Sequence, residues 1–133
     1  MKFQPDTADG VNLVSRQEAG RVWVGATAYA HSVLVPWSGP VLAWDAALPA
    51  ELTAAHFERI AGLRPEVVIF GSGPRLQFVA PGLQRSLIEL RIGVETMDTP
   101  AACRTYNVLA SEGRRVLAAL LIPPPEAAEA PRL

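Results

Sequence analysis

The chain has 133 residues and a mass of 14.3 kDa, which is the size of one domain with one hydrophobic core. Half of its residues are hydrophobic and 19% are charged, so it buries enough apolar surface to offset the entropy lost on folding, which excludes a largely disordered protein. A formal charge of -1 supplies no positive field for nucleic acid or an anionic membrane, and a single cysteine excludes an internal disulfide.

The first ten residues lack the features of a targeting segment. They contain two aspartates and a proline, and they have neither the apolar stretch of a secretory signal nor the arginine-rich composition of a transit peptide. We therefore expect a cytoplasmic protein. The stretch from Val22 to Trp44 carries no charge, but glycines and prolines divide it into short pieces that would leave backbone groups unpaired in lipid. We interpret it as strands joined by turns and expect no membrane insertion.

The amino-terminal third is predicted to consist of strands. Residues 11–16 and 22–26 alternate on either side of a turn at 18–20, a pattern typical of a hairpin. Two further apolar runs, 32–35 and 41–44, flank the turn Pro36–Pro40. These strands either extend the main sheet or form a second, smaller one.

The pattern changes to a helical period after Asp45. Pro49 suits the first turn of a helix, and the apolar residues that follow recur on one side, so an amphipathic helix is predicted to end at Gly62. The apolar run 66–70 predicts a strand covered on both faces. Three leucines at helical spacing predict a helix over 83–90 that Gly93 closes, followed by a strand at 94–97.

The last structural unit carries signals at both of its ends. Asp98 or Thr99 can cap a helix that begins at Pro100, and Gly113 can end it in the left-handed conformation. The apolar run 115–122 predicts an interior strand. We therefore expect a single α/β domain over 1–122, with helices against a sheet, and a loose proline- and alanine-rich tail over 123–133.

The segment Gly71-Ser72-Gly73 after a buried strand, with Arg75 close by, matches the beginning of a phosphate cradle. A dinucleotide fingerprint needs a third glycine, where this chain has Leu76, and prolines delay the next helix. We favour a turn that requires positive φ angles. Ser72 also lacks the glycine spacing of a hydrolase nucleophile.

Polar residues gather near the end of the strand at 94–97. Asp98 and Thr99 lie at that end, and Thr105 and Asn107 lie one to two turns into the next helix. Because ligands of α/β proteins bind at strand ends, a small pocket between this end and the Gly71 loop is a candidate binding site. Helix capping is the alternative explanation for Asp98 and Thr99. Asn107 in an apolar helix needs hydrogen-bond partners.

The sequence contains no recognisable catalytic or metal-binding set. Cys103 is near a helix start, which can lower the pKa of a thiol, but its apolar neighbours favour a packing role. Neither His31 nor His56 has a carboxylate partner that spacing identifies, and no zinc-ligand spacing is present. We predict no catalytic residue, metal or cofactor.

The segments 70–73, 93–99 and 102–116 carry a family resemblance, most specifically through the run Asp98-Thr99-x-x-Ala102-Cys103-x-Thr105-Tyr106-Asn107-x-Leu109. Over about residues 8–123 the chain resembles the family of unknown function whose eukaryotic members include mitochondrial complex I assembly factor three and the adipogenesis-associated domain protein. The resemblance implies a three-layer α/β fold with a mixed central sheet and no established enzyme activity. It also implies a scaffold role, because the mitochondrial members help build the membrane arm of NADH:ubiquinone oxidoreductase with a partner protein.

Three functions follow as hypotheses. The leading one is a non-catalytic binding or assembly module with a protein partner, for which four aromatic residues are either anchors or core residues. These aromatic residues are Trp23, Tyr29, Trp37 and Trp44. The alternative is a small-molecule or anion-binding enzyme that uses the Gly71–Arg75 loop and the Asp98 helix end. The third is a structural oligomer built through an exposed sheet edge.

Overall fold

The computed structural model of the chain describes residues 10–125. Its strands are β1 (Val14–Glu18), β2 (Arg21–Val24), β3 (Thr27–Tyr29), β4 (Val33–Pro36), β5 (Leu42–Ala43), β6 (Val67–Gly71), β7 (Gly93–Met97) and β8 (Val116–Leu120). Its α-helices are α1 (Ala54–Gly62), α2 (Arg85–Glu89) and α3 (Thr99–Ser111), and 3-10 helices precede α1 and α2 at Pro49–Glu51 and Pro81–Gln84.

The strands form two sheets. The larger is mixed and has the order β5-β4-β8-β6-β7, in which β6 runs parallel to β7 and β8 while β4 runs antiparallel to β8. The smaller is antiparallel, with the order β1-β2-β3. The predicted α/β class with a mixed central sheet is therefore confirmed. Both alternatives for the amino-terminal strands occur, because β4 and β5 extend the main sheet and β1–β3 form the second one.

Two hydrophobic cores lie on opposite faces of the main sheet. The helices α1 and α2 cover one core, in which the rings of Trp44, Phe57 and Phe70 meet edge to face at centroid distances of 5.8 to 6.1 Å. The small sheet and α3 cover the other core, which contains Val22 and Tyr106. Every residue of β6 and β8 is buried, as their uninterrupted apolar runs predict.

Two predicted helix boundaries need correction. The helix expected to begin at Pro49 is divided into the 3-10 helix and α1, which begins only at Ala54. Gly93 does not close α2 but is the first residue of β7. The chain reverses earlier, at Arg91 with φ 60°, because the Ile92 amide donates to Leu87 O at 2.9 Å.

The signals around α3 give the expected structure. Asp98 caps the helix, and Gly113 follows it with φ 82°. Most of the tail expected at 123–133 lies outside the described residues, as does most of the segment 1–10; Pro123 is described and is buried. Between residues 10 and 125 no helix is long and apolar enough to cross a membrane.

Candidate functional site

The carboxyl ends of β6, β7 and β8 are tied together by the hydroxyl group of Thr99. This side chain is buried, accepts a hydrogen bond from Gly73 N at 2.9 Å and donates one to Leu121 O at 2.9 Å. The Thr99 amide donates in return to Gly73 O at 2.7 Å, and Leu121 N donates to Gly71 O at 2.9 Å. The polar groups where an α/β protein commonly binds its ligand are here bonded to one another.

Glycine is required at positions 71 and 73 for different structural reasons. A Cβ atom on Gly71 would lie 2.9 Å from Thr99 Oγ1 and 3.0 Å from Thr99 Cα, so glycine allows β6 and the start of α3 to approach closely. Gly73 has φ 112°, a conformation that side-chain-bearing residues avoid. Gly73 therefore has the positive φ that the predicted turn requires, whereas Gly71 is needed for close packing against Thr99.

The amide donors at the start of α3 are already bonded. Asp98 Oδ1 accepts from Ala101 N at 2.8 Å, and Asp98 O accepts from Ala102 N at 2.9 Å. The Thr99 amide binds Gly73 O, and Pro100 has no amide hydrogen. An anion at this helix end would have to displace acceptors of the protein itself, so the geometry favours capping.

Ser72 organises the loop that follows β6. Its side chain is 1% exposed, and its hydroxyl donates to Arg75 O at 2.8 Å and accepts from Gln77 N at 2.9 Å. We refer to residues 74–80 as the 74–80 loop. Within it, Leu76 is 52% exposed and Phe78 is 74% exposed. A buried hydroxyl therefore fixes the base of a loop that presents two large apolar side chains to solvent, and Arg75 is also exposed.

Asn107 points toward the small sheet and not toward the glycine loop. Its Oδ1 accepts from Val14 N and its Nδ2 donates to Val14 O, both at 2.8 Å, so its side chain pairs with β1 as a neighbouring strand would. The adjacent Tyr106 hydroxyl lies 2.8 Å from Asn12 O and 2.9 Å from Pro36 O. Thr105 is half-buried on α3. The Tyr106-Asn107 pair thus holds the amino-terminal strands against α3.

The residues predicted as a site therefore separate into two groups. The strand ends bring together Gly71, Ser72, Gly73, Arg75, Asp98 and Thr99. Thr105 and Asn107 lie farther along α3. A cleft of about 220 Å³ separates the first group from the hairpin turn of β1 and β2. Among the predicted residues only Gly73 and Thr99 line it, and both take part in internal hydrogen bonds.

The geometry does not assemble a covalent catalyst from Cys103. The thiol is 3% exposed, and burial raises its pKa to about 12, so it stays protonated at neutral pH. It lies in the core under α3, whereas His56 packs against Trp44 on the opposite side of the main sheet.

His56 has a carboxylate partner that the sequence analysis missed. Its Nε2 lies 3.0 Å from Asp45 Oδ1, and its Nδ1 accepts from Thr53 N at 3.0 Å. The residues Thr53 and His56 occupy the N-cap and N3 positions of α1, and this spacing could have predicted the hydrogen bond between them. Asp45 is eleven positions earlier than His56, so spacing on one helix could not reveal it. The pair anchors the start of α1.

The aromatic candidates are used in different ways. Trp44 is a core residue, 3% exposed. Trp23 is half-buried on the small sheet, with the guanidinium carbons of Arg16 and Arg21 at 4.7 and 5.7 Å from its ring centroid. Phe78, which the sequence analysis did not select, is more exposed than any of them. Its position after Gly73-Pro74, in a loop between a strand and a helix, was the only feature of the sequence that indicated its exposure.

Comparison with known proteins places these features in a family. A bovine (Bos taurus) protein named NADH dehydrogenase (ubiquinone) 1 alpha subcomplex assembly factor 3 is 36% identical to the chain over 125 residues, which cover 92% of this chain and 66% of that protein. The chain therefore spans slightly less than two thirds of the length of this relative.

Solved structures share the fold. A crystal structure of a Bordetella parapertussis protein is 40% identical, has a TM-score of 0.81, and covers 87% of this chain and 99% of that one. An NMR structure of a Bordetella pertussis protein, described as an Mth938-like domain, is 33% identical with a TM-score of 0.81, and covers 99% of this chain and 100% of that one. A family model described as a protein of unknown function (DUF498/DUF598) matches residues 14–121, so the chain belongs to this family.

Proposed function

We propose that this protein is a non-catalytic, cytoplasmic binding module that takes part in the assembly of a respiratory NADH dehydrogenase. The name of the bovine relative, an assembly factor for a subcomplex of that enzyme, supports this role. The bonded polar groups at the strand ends and the buried thiol of Cys103 support a function that involves no bond making or breaking. A formal charge of -1 favours a protein partner over nucleic acid.

The exposure of Phe78 is the observation that carries the proposal. A phenylalanine that is 74% exposed costs solvation free energy in the free protein, and large apolar or aromatic side chains concentrate binding energy at protein interfaces. The hydrogen bonds of Ser72 fix the base of the 74–80 loop, so part of the entropy cost of binding is met before the partner arrives. We therefore assign Leu76 and Phe78 as partner anchors.

The test replaces Phe78 by alanine in the native cell. Val108, which is 57% exposed on α3, provides the matched control, because Val108→Ala also removes an exposed apolar side chain. We expect cells that lack the protein to accumulate less assembled NADH dehydrogenase on native gels, and we expect Val108→Ala but not Phe78→Ala to restore the wild-type level. Both variants should keep the wild-type melting temperature, since neither side chain is buried.

Two results would contradict the proposal. Unchanged assembly of NADH dehydrogenase in cells without the protein would remove the assembly role. Full restoration by Phe78→Ala and by the double variant Leu76→Ala/Phe78→Ala would leave the role but remove the 74–80 loop as its binding surface.

A further inference from the structure

The outer edge of β7 carries main-chain groups that have no partner within residues 10–125. In the main sheet β7 pairs only with β6. Ser72 N donates to Met97 O, so the main-chain groups of Met97 point toward β6. Because these groups alternate between the two sides of a strand, those of Glu95 also point toward β6, while those of Val94 and Thr96 point outward.

Two of the other sheet edges, those of β1 and β5, are partly covered by side chains. Asn107 pairs with both main-chain groups of Val14 on β1. On β5, which has only two residues, Arg59 Nη1 donates to Ala43 O at 2.6 Å. Short edge strands and covering side chains are usual devices against unwanted pairing. β7 has five residues, and neither device protects it within the described part of the chain.

The negative charge of Glu95, at the centre of β7, determines which strands can pair with this edge. Glu95 is exposed and occupies the middle position of the strand. If a second copy paired antiparallel and used all the outward groups, Val94 would face Thr96 of the other copy, and the two Glu95 carboxylates would face each other. Directly opposed like charges destabilise strand pairs. Self-pairing in this register is therefore disfavoured, and a basic residue opposite Glu95 is favoured.

The remaining side chains favour apolar neighbours. Val94 is half-buried against the core under α1 and α2, and Thr96 lies on the same face of β7. Ile88 and Leu90, at 59% and 44% exposure, lie on and just after α2, the helix that precedes β7. An incoming strand would therefore present apolar side chains on this face and a lysine or arginine on the other.

We propose that the outer edge of β7 binds an extended segment of the partner protein as an additional strand, with apolar residues flanking a lysine or arginine that faces Glu95. The inference rests on the proposed function, since it specifies a second surface for the same partner. The carboxyl end of β7 adjoins the base of the 74–80 loop, because Ser72 N donates to Met97 O at 2.8 Å on the side of β7 that faces β6. Strand addition of this kind takes its affinity from main-chain hydrogen bonds and its specificity from alternate side chains.

The experiment uses the full chain and a capped synthetic peptide, Thr-Val-Lys-Val-Thr, whose symmetry permits either strand direction. Amide hydrogen exchange of Val94 and Thr96, measured by NMR, reports pairing at the edge. We expect both amides to exchange rapidly in the free protein and slowly with the peptide. A peptide with glutamate in place of lysine should bind about tenfold more weakly, and the Glu95→Lys variant should reverse that preference.

Two controls separate edge pairing from unrelated binding. Thr96→Pro removes an outward donor, whereas the hydrogen bonds between β6 and β7 do not use this amide, so the variant should fold but lose the peptide. If Thr96→Pro fails to fold, the peptide methylated at its backbone nitrogens provides the same comparison on the wild type. We expect the methylated peptide to leave Val94 and Thr96 unprotected.

Several outcomes would overturn the inference. The first is slow exchange of both amides in the dilute free chain, which would indicate that terminal residues or a second copy already cover the edge. The second is unchanged amide exchange at saturating peptide. The third is equal binding of the lysine and glutamate peptides. None of them affects the Phe78→Ala assembly test. A failure of strand addition is thus distinguishable from a failure of the proposed function.

Discussion

At the scale of single residues, removing the one hydroxyl group of Thr99 is predicted to lower the stability of the whole fold. Thr99→Val keeps the shape but removes a hydroxyl that satisfies the buried Gly73 N and Leu121 O. Each group left unpaired costs about 1–3 kcal/mol, so we expect the unfolding free energy to fall by about 2–6 kcal/mol in urea titrations. Thr105→Val, on the half-buried side of the same helix, is the control and should change it by less than about 1 kcal/mol. Equal effects would contradict the role assigned to Thr99.

The buried thiol of Cys103 makes the unfolding free energy depend on pH. Burial raises the pKa of its thiol from 9.0 to about 12, so above pH 9.0 the unfolded chain loses a proton that the folded chain keeps. Stability is therefore fully present below pH 9.0 and falls as pH rises toward about 12, with a slope of up to about 1.4 kcal/mol per pH unit. Burial raises the pKa of Tyr106 as well, which adds loss in the same direction at higher pH.

Urea titrations at several alkaline pH values measure this slope. Cys103→Ala should lose less stability than the wild type over the same pH interval, because it retains only the contribution of Tyr106. An identical slope in the two proteins would show that the thiol does not contribute.

At the scale of secondary-structure elements, substitutions at the start of α3 and the effect of phosphate distinguish helix capping from anion binding. Asp98→Ala leaves Ala101 N without its acceptor, so we expect a loss of about 1 kcal/mol of unfolding free energy, whereas Asp98→Asn, which keeps an acceptor oxygen, should lose less. Inorganic phosphate should not raise the melting temperature of the wild type, because the first amides of α3 are already bonded. A phosphate-dependent rise that Arg75→Ala abolishes would instead support the anion-binding alternative.

The elements that the sequence predicts well are those whose signals are local. The start and end of α3 follow from Asp98 and Gly113, which lie next to the helix they limit. The burial of β6 and β8 follows from uninterrupted apolar runs. The prediction that Gly93 closes a helix is wrong because a glycine near a helix end also suits the start of a strand, and the reversal at Arg91 depends on the Ile92–Leu87 hydrogen bond.

The contacts that the sequence analysis could not predict join residues far apart in the chain. Asn107 was identified only as an amide that needs partners, and these partners belong to Val14, 93 positions away. Thr99 donates to Leu121, 22 positions later, because the strand order places β8 beside β6. The exposure of Phe78 likewise depends on how Ser72 bends the loop. Tertiary structure decides such contacts, so local patterns do not contain them.

At the scale of the whole molecule, the two cores should unfold together because β6 contributes to both. Phe70 faces the core under α1 and α2, and its neighbour Ile69 faces the core under α3. Phe57→Ala removes a buried ring from the first core and should cost about 3–5 kcal/mol. If the sheet couples the layers, amide protection should fall by the same free energy at Ile60 on α1 and at Val22 on the small sheet.

The exposed neighbour Glu58 supplies the control Glu58→Ala, which should change the protection free energy of both amides by less than about 0.5 kcal/mol. Retained protection at Val22 alongside lost protection at Ile60 would mean that the small sheet and α3 form an independently stable layer, and that the central strands do not transmit the loss.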